Sequence, residues 1–250
     1  MRYPSLLLLA TIALAFSFSG CQEDDPTPKA KFTLTLKAVY DGEVLKQGKD
    51  YAFGTNLIQF EQFSTYLSDI ALLKDGKETL LSEIEWTEFT TTEAQSKDAT
   101  LVFTYDVPLG TYTGLKLGYG VKPELNKKRP SDFKVGHPLY LENEYWLGWK
   151  SYIFTKITGR ATIDGVANND LTYHCGSDVV YNTAEFVQDV EVNGTNGLTL
   201  VFDLKKILTM DGALLDISKP ENQKTSHVST NLALGKKIMF NLKNGTQLQR

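Results

Sequence analysis

Apolar and polar positions alternate with a period of two along much of this chain. From Lys31 to Tyr40, Phe32, Leu34, Leu36 and Ala38 fall on one side and Thr33, Thr35 and Lys37 on the other. That is the pattern of a strand with one buried face. Thr100 to Val107 repeats it, with Leu101, Phe103 and Tyr105 set against Val102, Thr104 and Asp106. Tyr66 to Leu73 and Glu78 to Leu81 flank Lys74-Asp75-Gly76-Lys77. Asp-Gly there supplies two residues that tolerate positive φ, so a hairpin is predicted. Gly110 to Gly120, Tyr152 to Asp164 (closed by Asp164-Gly165) and Leu171 to His174 read as further strands. Val187 to Val192 and Leu198 to Phe202 are separated by Asn193-Gly194-Thr195-Asn196-Gly197 and read as another hairpin. Helical signals are few: Leu204 to Met210 and Ser226 to Ala233, the latter followed by a closing strand over Lys237 to Leu242. Many short strands with Gly and Asn turns predict a mainly β fold, an antiparallel β-sandwich with one or two short helices.

The N-terminus breaks the pattern. Arg2 precedes an apolar run from Leu6 to Phe18, which ends in Ser19-Gly20-Cys21. The run is short for a membrane span, and its small-residue end suits cleavage. Small residues followed directly by Cys resemble the lipobox of bacterial lipoproteins, in which the Cys becomes a lipidated N-terminus. Gln22-Glu23-Asp24-Asp25-Pro26-Thr27-Pro28-Lys29 is polar, acidic and broken by Pro, and it cannot bury enough apolar surface to fold. An acidic run after a lipidated Cys also resembles the surface-export signal of Bacteroidetes lipoproteins. The expected organisation is a lipoprotein signal peptide over residues 1–20, a flexible acidic tether over 21–30 and a β-sandwich domain over 31–250. The expected location is the cell envelope: an outer-membrane lipoprotein facing the periplasm or the cell surface, held to the lipid membrane through Cys21.

Charge narrows the partners. The chain has 250 residues with 26 basic and 30 acidic side chains, a net charge of −4. The signs are mixed, and Lys127-Lys128-Arg129 is too short a basic cluster to bind nucleic acid. There are two Cys. With Cys21 lipidated, Cys175 has no partner for a disulfide and reads as a buried small apolar residue. Any histidine site must draw on three residues, His137, His174 and His227.

Catalytic patterns are missing from the sequence. It holds no G-x-S-x-G elbow, H-E-x-x-H, C-x-x-C, phosphate-binding loop or calcium loop. Gly118-Tyr119-Gly120 is a weak nucleotide signal, since Pro123 follows it closely. Glu142 and Glu144 are a carboxylate pair able to line a cleft, but such pairs are common in chains of this length. The reading is of a non-enzymatic protein.

One window concentrates aromatic residues. His137-Pro138-Leu139 leads into Glu144-Tyr145-Trp146-Leu147-Gly148-Trp149-Lys150-Ser151-Tyr152-Ile153-Phe154, and Tyr173-His174-Cys175-Gly176 follows later. Gly110-Thr111-Tyr112, Leu117-Gly118-Tyr119-Gly120-Val121 and Asn126 precede it. With Tyr66-Leu67-Ser68-Asp69-Ile70 and Ser226-His227 before Asn231-Leu232-Ala233, this order resembles the MbnP-like copper-binding family of exported, β-rich bacterial proteins. The resemblance covers essentially the whole mature chain. It implies copper held by His ligands, matched here by His137, His174 and His227, with Cu(I) as the expected form. It also implies that a partner dihaem peroxidase oxidises a Trp to kynurenine, matched by Trp146. Glu144 stands where the family pattern has Met, and the second Trp is displaced to Trp149. His174 and Cys175 are adjacent, so on a regular strand they point to opposite faces. They share a metal only if the strand bends, near Gly176.

Two functions compete at this level. The first is a lipid-anchored, non-catalytic copper-binding protein for extracytoplasmic copper acquisition or handling. The second is a surface β-sandwich lipoprotein that binds glycan or protein ligands without metal, with Trp86 or Trp149 stacking on sugar rings. A hydrolase using acidic residues ranks last, since no nucleophile and base stand together in a recognised pattern.

Overall fold

The structure, a computed structural model, describes residues 27–89, 99–226 and 231–250. The expected signal peptide, Cys21 and His227 lie outside the described residues. The first strand, β1 (Lys29–Tyr40), starts inside the expected tether, because Lys29 and Ala30 pair with Pro108 and Val107. Phe32, Leu34, Leu36 and Ala38 are all fully buried, as their alternation predicts.

The main strands that follow are β2 (Asn56–Lys74), β3 (Lys77–Glu88), β4 (Thr100–Pro108), β5 (Gly110–Tyr119), β6 (Ser151–Ile163), β7 (Val166–Gly176), β8 (Asn182–Val192), β9 (Gly197–Asp203), β10 (Lys224–Ser226) and β11 (Thr246–Gln249). The smaller sheet holds β11, β9, β1 and β4, with Glu43–Val44 beside β1. The larger sheet runs β8-β5-β2-β6-β7-β10, with β3 and Tyr51–Phe53 also on β2 and Tyr145–Trp146 on β6. The inner faces meet in one apolar core, where Phe63 of β2 packs on Phe89 and on Phe202 of β9 at 5.1 and 5.9 Å between ring centres. The fold is mainly β and sandwich-like. Most pairings are antiparallel; β1 with β9 and β7 with β10 are parallel. No helix among the described residues is long and apolar enough to cross a membrane.

All four Asp-Gly steps are two-residue hairpin turns, including Asp41-Gly42 between Tyr40 and Glu43 and Asp211-Gly212 between Met210 and Ala213. Lys74 pairs with Lys77 around Asp75 (φ 52°) and Gly76 (φ 72°), and Ile163 pairs with Val166 around Asp164 and Gly165. The Asn193–Gly197 turn differs from expectation. It links β8 in one sheet to β9 in the other, so it bridges the sandwich instead of closing a hairpin. Asn193 accepts the Thr195 N–H there, the local bond that makes Asn a turn residue in either setting.

The C-terminal region also departs from the sequence reading. Lys237 to Leu242 is not a strand but lies inside α3 (Leu232–Gly245). Leu234, Ile238, Met239 and Leu242 are buried at helical spacing, and Asn231 caps the helix by accepting the Leu234 N–H. Two single-turn helices precede it, α1 (Pro123–Asn126) and α2 (Leu204–Ile207). In α2 only the start of the expected Leu204–Met210 helix is helical. Thr209 and Met210 turn back to pair with Leu214 and Ala213.

β2 organises the larger sheet. Ser64 and Thr65 pair with both β3 and β6, which therefore lie on opposite edges. Leu67 to Leu73 pair with β5 on the β6 edge. The chain between β5 and β6, residues 121–150, leaves from this junction and folds over the outer face. We refer to it as the cap.

Candidate metal centre

The cap is tied to the sheet by side chains that pair with its backbone. Tyr66 and Tyr152 donate their hydroxyls to Pro138 O (3.1 Å) and Leu139 O (2.8 Å). Asn126 of α1 is buried; it donates to Asp178 (2.8 Å) and Ser151 (3.1 Å) and accepts the Tyr152 N–H (2.9 Å). Lys156 of β6 donates to Asn143 O (3.1 Å) and to Glu144 Oε1 (2.8 Å). Trp86 packs on Tyr66 with ring centres 4.5 Å apart, so it is part of the cap support and not an open sugar platform.

Beneath the cap a row of residues crosses four strands in register. Glu88 pairs with Ser64, Ser64 with Lys156, and Lys156 with His174. In-register residues share a face, so all four side chains are on the cap side. Ser64 Oγ is buried with no hydrogen-bond partner among the described residues. Lys156 and Glu144 are 8 % and 7 % exposed. Both Glu144 oxygens stand 2.8 Å from the ammonium. Burial raises the Glu144 carboxyl above the usual carboxylate range, and the Lys156 bond pulls the other way.

His174 is half-buried on β7. Desolvation, with the Lys156 charge as a second cause, pushes its imidazole down to about 4. The ring is therefore neutral at ordinary pH and keeps a nitrogen lone pair available. Its backbone partner on the other side is Ser226 of β10, after which the chain continues into His227. A register shift follows Cys175, at the bend proposed from Gly176. The shift does not bring the thiol to the His174 side. Cys175 faces the core, fully buried, and burial drives its thiol up to about 12.

His137 has a different setting. It precedes the turn Pro138–Tyr140, where its Nδ1 accepts the Leu139 N–H (3.1 Å) and its ring stacks on Phe133 at 4.4 Å. Burial lowers its imidazole, and the charges that act on it are Glu83 and Lys128. Glu83 is on β3 and His174 on β7, three strand spacings apart across the sheet, roughly 14 Å. An Nδ1 that accepts a backbone N–H leaves the ring proton on Nε2, so His137 must give up that bond before Nε2 can hold a metal. Among the described residues no three His, Cys, Asp or Glu are grouped to hold a metal ion. Of the two described histidines, His174 is the one whose neutral ring is not committed to a backbone N–H by a described bond. Lys156 is its in-register neighbour and bonds Glu144; Glu144 stands out in the sequence as a carboxylate able to line a cleft, but Lys156 does not, since a Lys within a strand looks like a solvent position.

Trp146 is 42 % exposed at the cap edge, and its ring centre lies 6.1 Å from that of Trp149. Gly148 lets the indole fold close: a Cβ there would stand 3.1 Å from Trp146 Nε1. Leu147 beside it is 69 % exposed.

These features define a β-sandwich protein whose larger sheet carries a capped, partly polar outer face. The MbnP family model matches residues 29–233, and the chain belongs to the MbnP family. Among solved structures it resembles MbnP from Methylosinus trichosporium, at 16 % identity over 72 % of this chain and 77 % of that one, with a TM-score of 0.48. A comparison with curated proteins finds no match.

Proposed function

We propose that this protein is a lipid-anchored, non-catalytic copper-binding protein of the cell envelope, exported and tethered through Cys21, that holds copper as cargo at His174 and His227. The observation that carries the reading is His174 itself, whose half-buried, desolvated imidazole stays neutral on the capped face of the larger sheet. Neutral imidazoles are good ligands for copper. His137 joins only if it releases the Leu139 N–H. Trp146, exposed at the cap edge, is open to oxidation by a separate haem enzyme. When bound, copper supplies a soft Lewis acid; the chain's part is to hold neutral nitrogen donors beneath a fixed cap.

The test is metal analysis of the mature chain carrying Cys21→Ser, purified with and without added Cu(I). One equivalent retained by this protein and lost in His174→Ala supports the reading; copper at the level of a buffer blank overturns it. Incorporation of labelled fatty acid into the wild-type chain and not into Cys21→Ser tests the anchor separately.

A second reading has its own observation. Trp146 and Leu147 are exposed side by side on the cap, a surface suited to stacking on a glycan or a protein. Binding of such a ligand in the presence of a chelator, lost in Trp146→Ala, would favour it.

A further inference from the structure

The sandwich has an open seam. Among the described strands, β8 pairs with β5 alone and β11 pairs with β9 alone, so each keeps one edge without a partner. The two belong to different sheets, and Glu185 to Gln188 together with Thr246 to Gln249 line a groove of about 590 Å³ between them. Beyond Gln188 the strands are latched, since Arg250 Nε donates to Asp189 O (2.9 Å). Open edges of this kind offer a row of backbone N–H and C=O groups to an extended chain laid along them.

The side chains of β8 give this edge a charge. Glu185, Val187, Asp189 and Glu191 are exposed, Val187 at 94 %. Phe186 and Leu248 are half-buried and pack against the core from the two sides of the groove. Asp189 and Glu191 have no ion-pair partner among the described residues. Glu185 has a 3.9 Å approach to Lys116, whose ammonium is held more closely by Glu78 at 2.6 Å. The acids disfavour a second copy of this chain as the occupant. Antiparallel β8-to-β8 pairing about Val187 brings Glu185 against Asp189, and like charges placed opposite each other destabilise a sheet.

The geometry points to β8 as a docking strand for an extended basic segment of another protein, one that reads Lys-x-Thr-x-Lys with apolar residues at x. Added beside β8, the segment becomes the next strand of the larger sheet. In that mode backbone hydrogen bonds supply affinity and alternate side chains supply specificity. Outward side chains recur about every 7 Å along a strand, so one Lys falls opposite Glu185 and the Thr lies against Val187. A register shift between Val187 and Val190 ends the regular edge, and the second Lys meets Asp189 from the end of the segment. The residues at x turn the other way, into the groove over Phe186 and Leu248. Docking here uses neither His174 nor a metal, so it stands or falls apart from the copper reading.

The test is fluorescence anisotropy of the dye-labelled peptide Thr-Lys-Val-Thr-Val-Lys-Thr with the mature chain carrying Cys21→Ser. Two backbone N-methylated forms, methylated at alternate residues, each block one edge of the peptide. A further probe replaces both Lys by Glu. The protein variant is Glu185→Lys/Asp189→Lys, at exposed positions, and thermal unfolding establishes that it is folded. The expected result is saturable binding to the wild-type chain, weakened about tenfold or more in the variant and weakened by added salt. The Glu probe shows the reverse preference, and one methylation pattern abolishes binding while the other preserves it. No saturable binding, binding that charge reversal leaves unchanged, or an equal response to both methylation patterns overturns the proposal. A wild-type dimer in sedimentation that the variant disperses assigns the edge to a second copy and also overturns it.

Discussion

Gly120 and Phe154 meet at a contact that only a glycine permits. Gly120 has φ +102°, and a Cβ built on it would lie 2.3 Å from Phe154 Cδ2. Gly120 N–H also donates to Tyr66 O. This is where β5 ends, β6 lies alongside, and the cap leaves the sheet. Gly120→Ala should therefore suffer both an unfavourable backbone conformation and a clash with a fully buried ring. We expect a loss of more than about 2 kcal/mol, read as a lower urea midpoint with an unchanged slope.

The Lys156–Glu144 pair should show strong coupling. Lys156→Met or Glu144→Leu alone leaves one buried charge without its partner, a change that typically costs about 3–5 kcal/mol. The double substitution removes both charges together and should cost clearly less than the sum. A double-mutant cycle by chemical denaturation measures the difference. Simple additivity would mean that the pair is solvated.

Asn126 is the pin of the cap. Its amide bonds three groups at once: Asp178, Ser151 and the Tyr152 backbone. Asn126→Ala leaves the buried Tyr152 N–H without an acceptor, at about 1–3 kcal/mol. Limited trypsin digestion should then cut first at Lys127, Lys128 or Arg129, while the sheets persist. Uniform resistance along the variant chain would count against the pin.

Cys175 gives the fold a signature in alkali. Burial holds its thiol up at about 12, against 9.0 for an ordinary thiol. Below pH 9 both folded and unfolded chains keep the proton. Between 9 and about 12 the unfolded chain loses it and the folded chain does not, so stability falls as pH rises, by up to about 1.4 kcal/mol per pH unit. Urea midpoints measured across this window should fall more steeply for the wild-type chain than for Cys175→Ala. At neutral pH a thiol reagent should label Cys175 only as fast as the protein unfolds.

Much of the fold was legible because period-two patterning is a local signal. The alternation in β1, the Asp-Gly hairpins and the buried character of Cys175 follow from neighbouring residues alone. The misread segments needed distant information. Asn193–Gly197 has the same turn chemistry whether its strands pair with each other or join separate sheets. Lys237 to Leu242 is too short to separate a buried strand from a helix, and the helix emerges only when Leu234 is added to Ile238, Met239 and Leu242 at intervals of three and four. The candidate site was half legible. His174 stood out by its residue type. Lys156 did not, because its burial depends on Glu144 arriving from the cap, and no pattern within β6 announces that.

The parallel pairing of β1 with β9 bears on how the molecule is made. Thr33 to Val39 find their partners in Gly197 to Asp203, and parallel pairing over such a sequence separation is slow to form. Because a chain is synthesised from its N-terminus, β1 must wait with one edge bare until Gly197 to Asp203 have been made, so the strand made first is among the last to be locked in place.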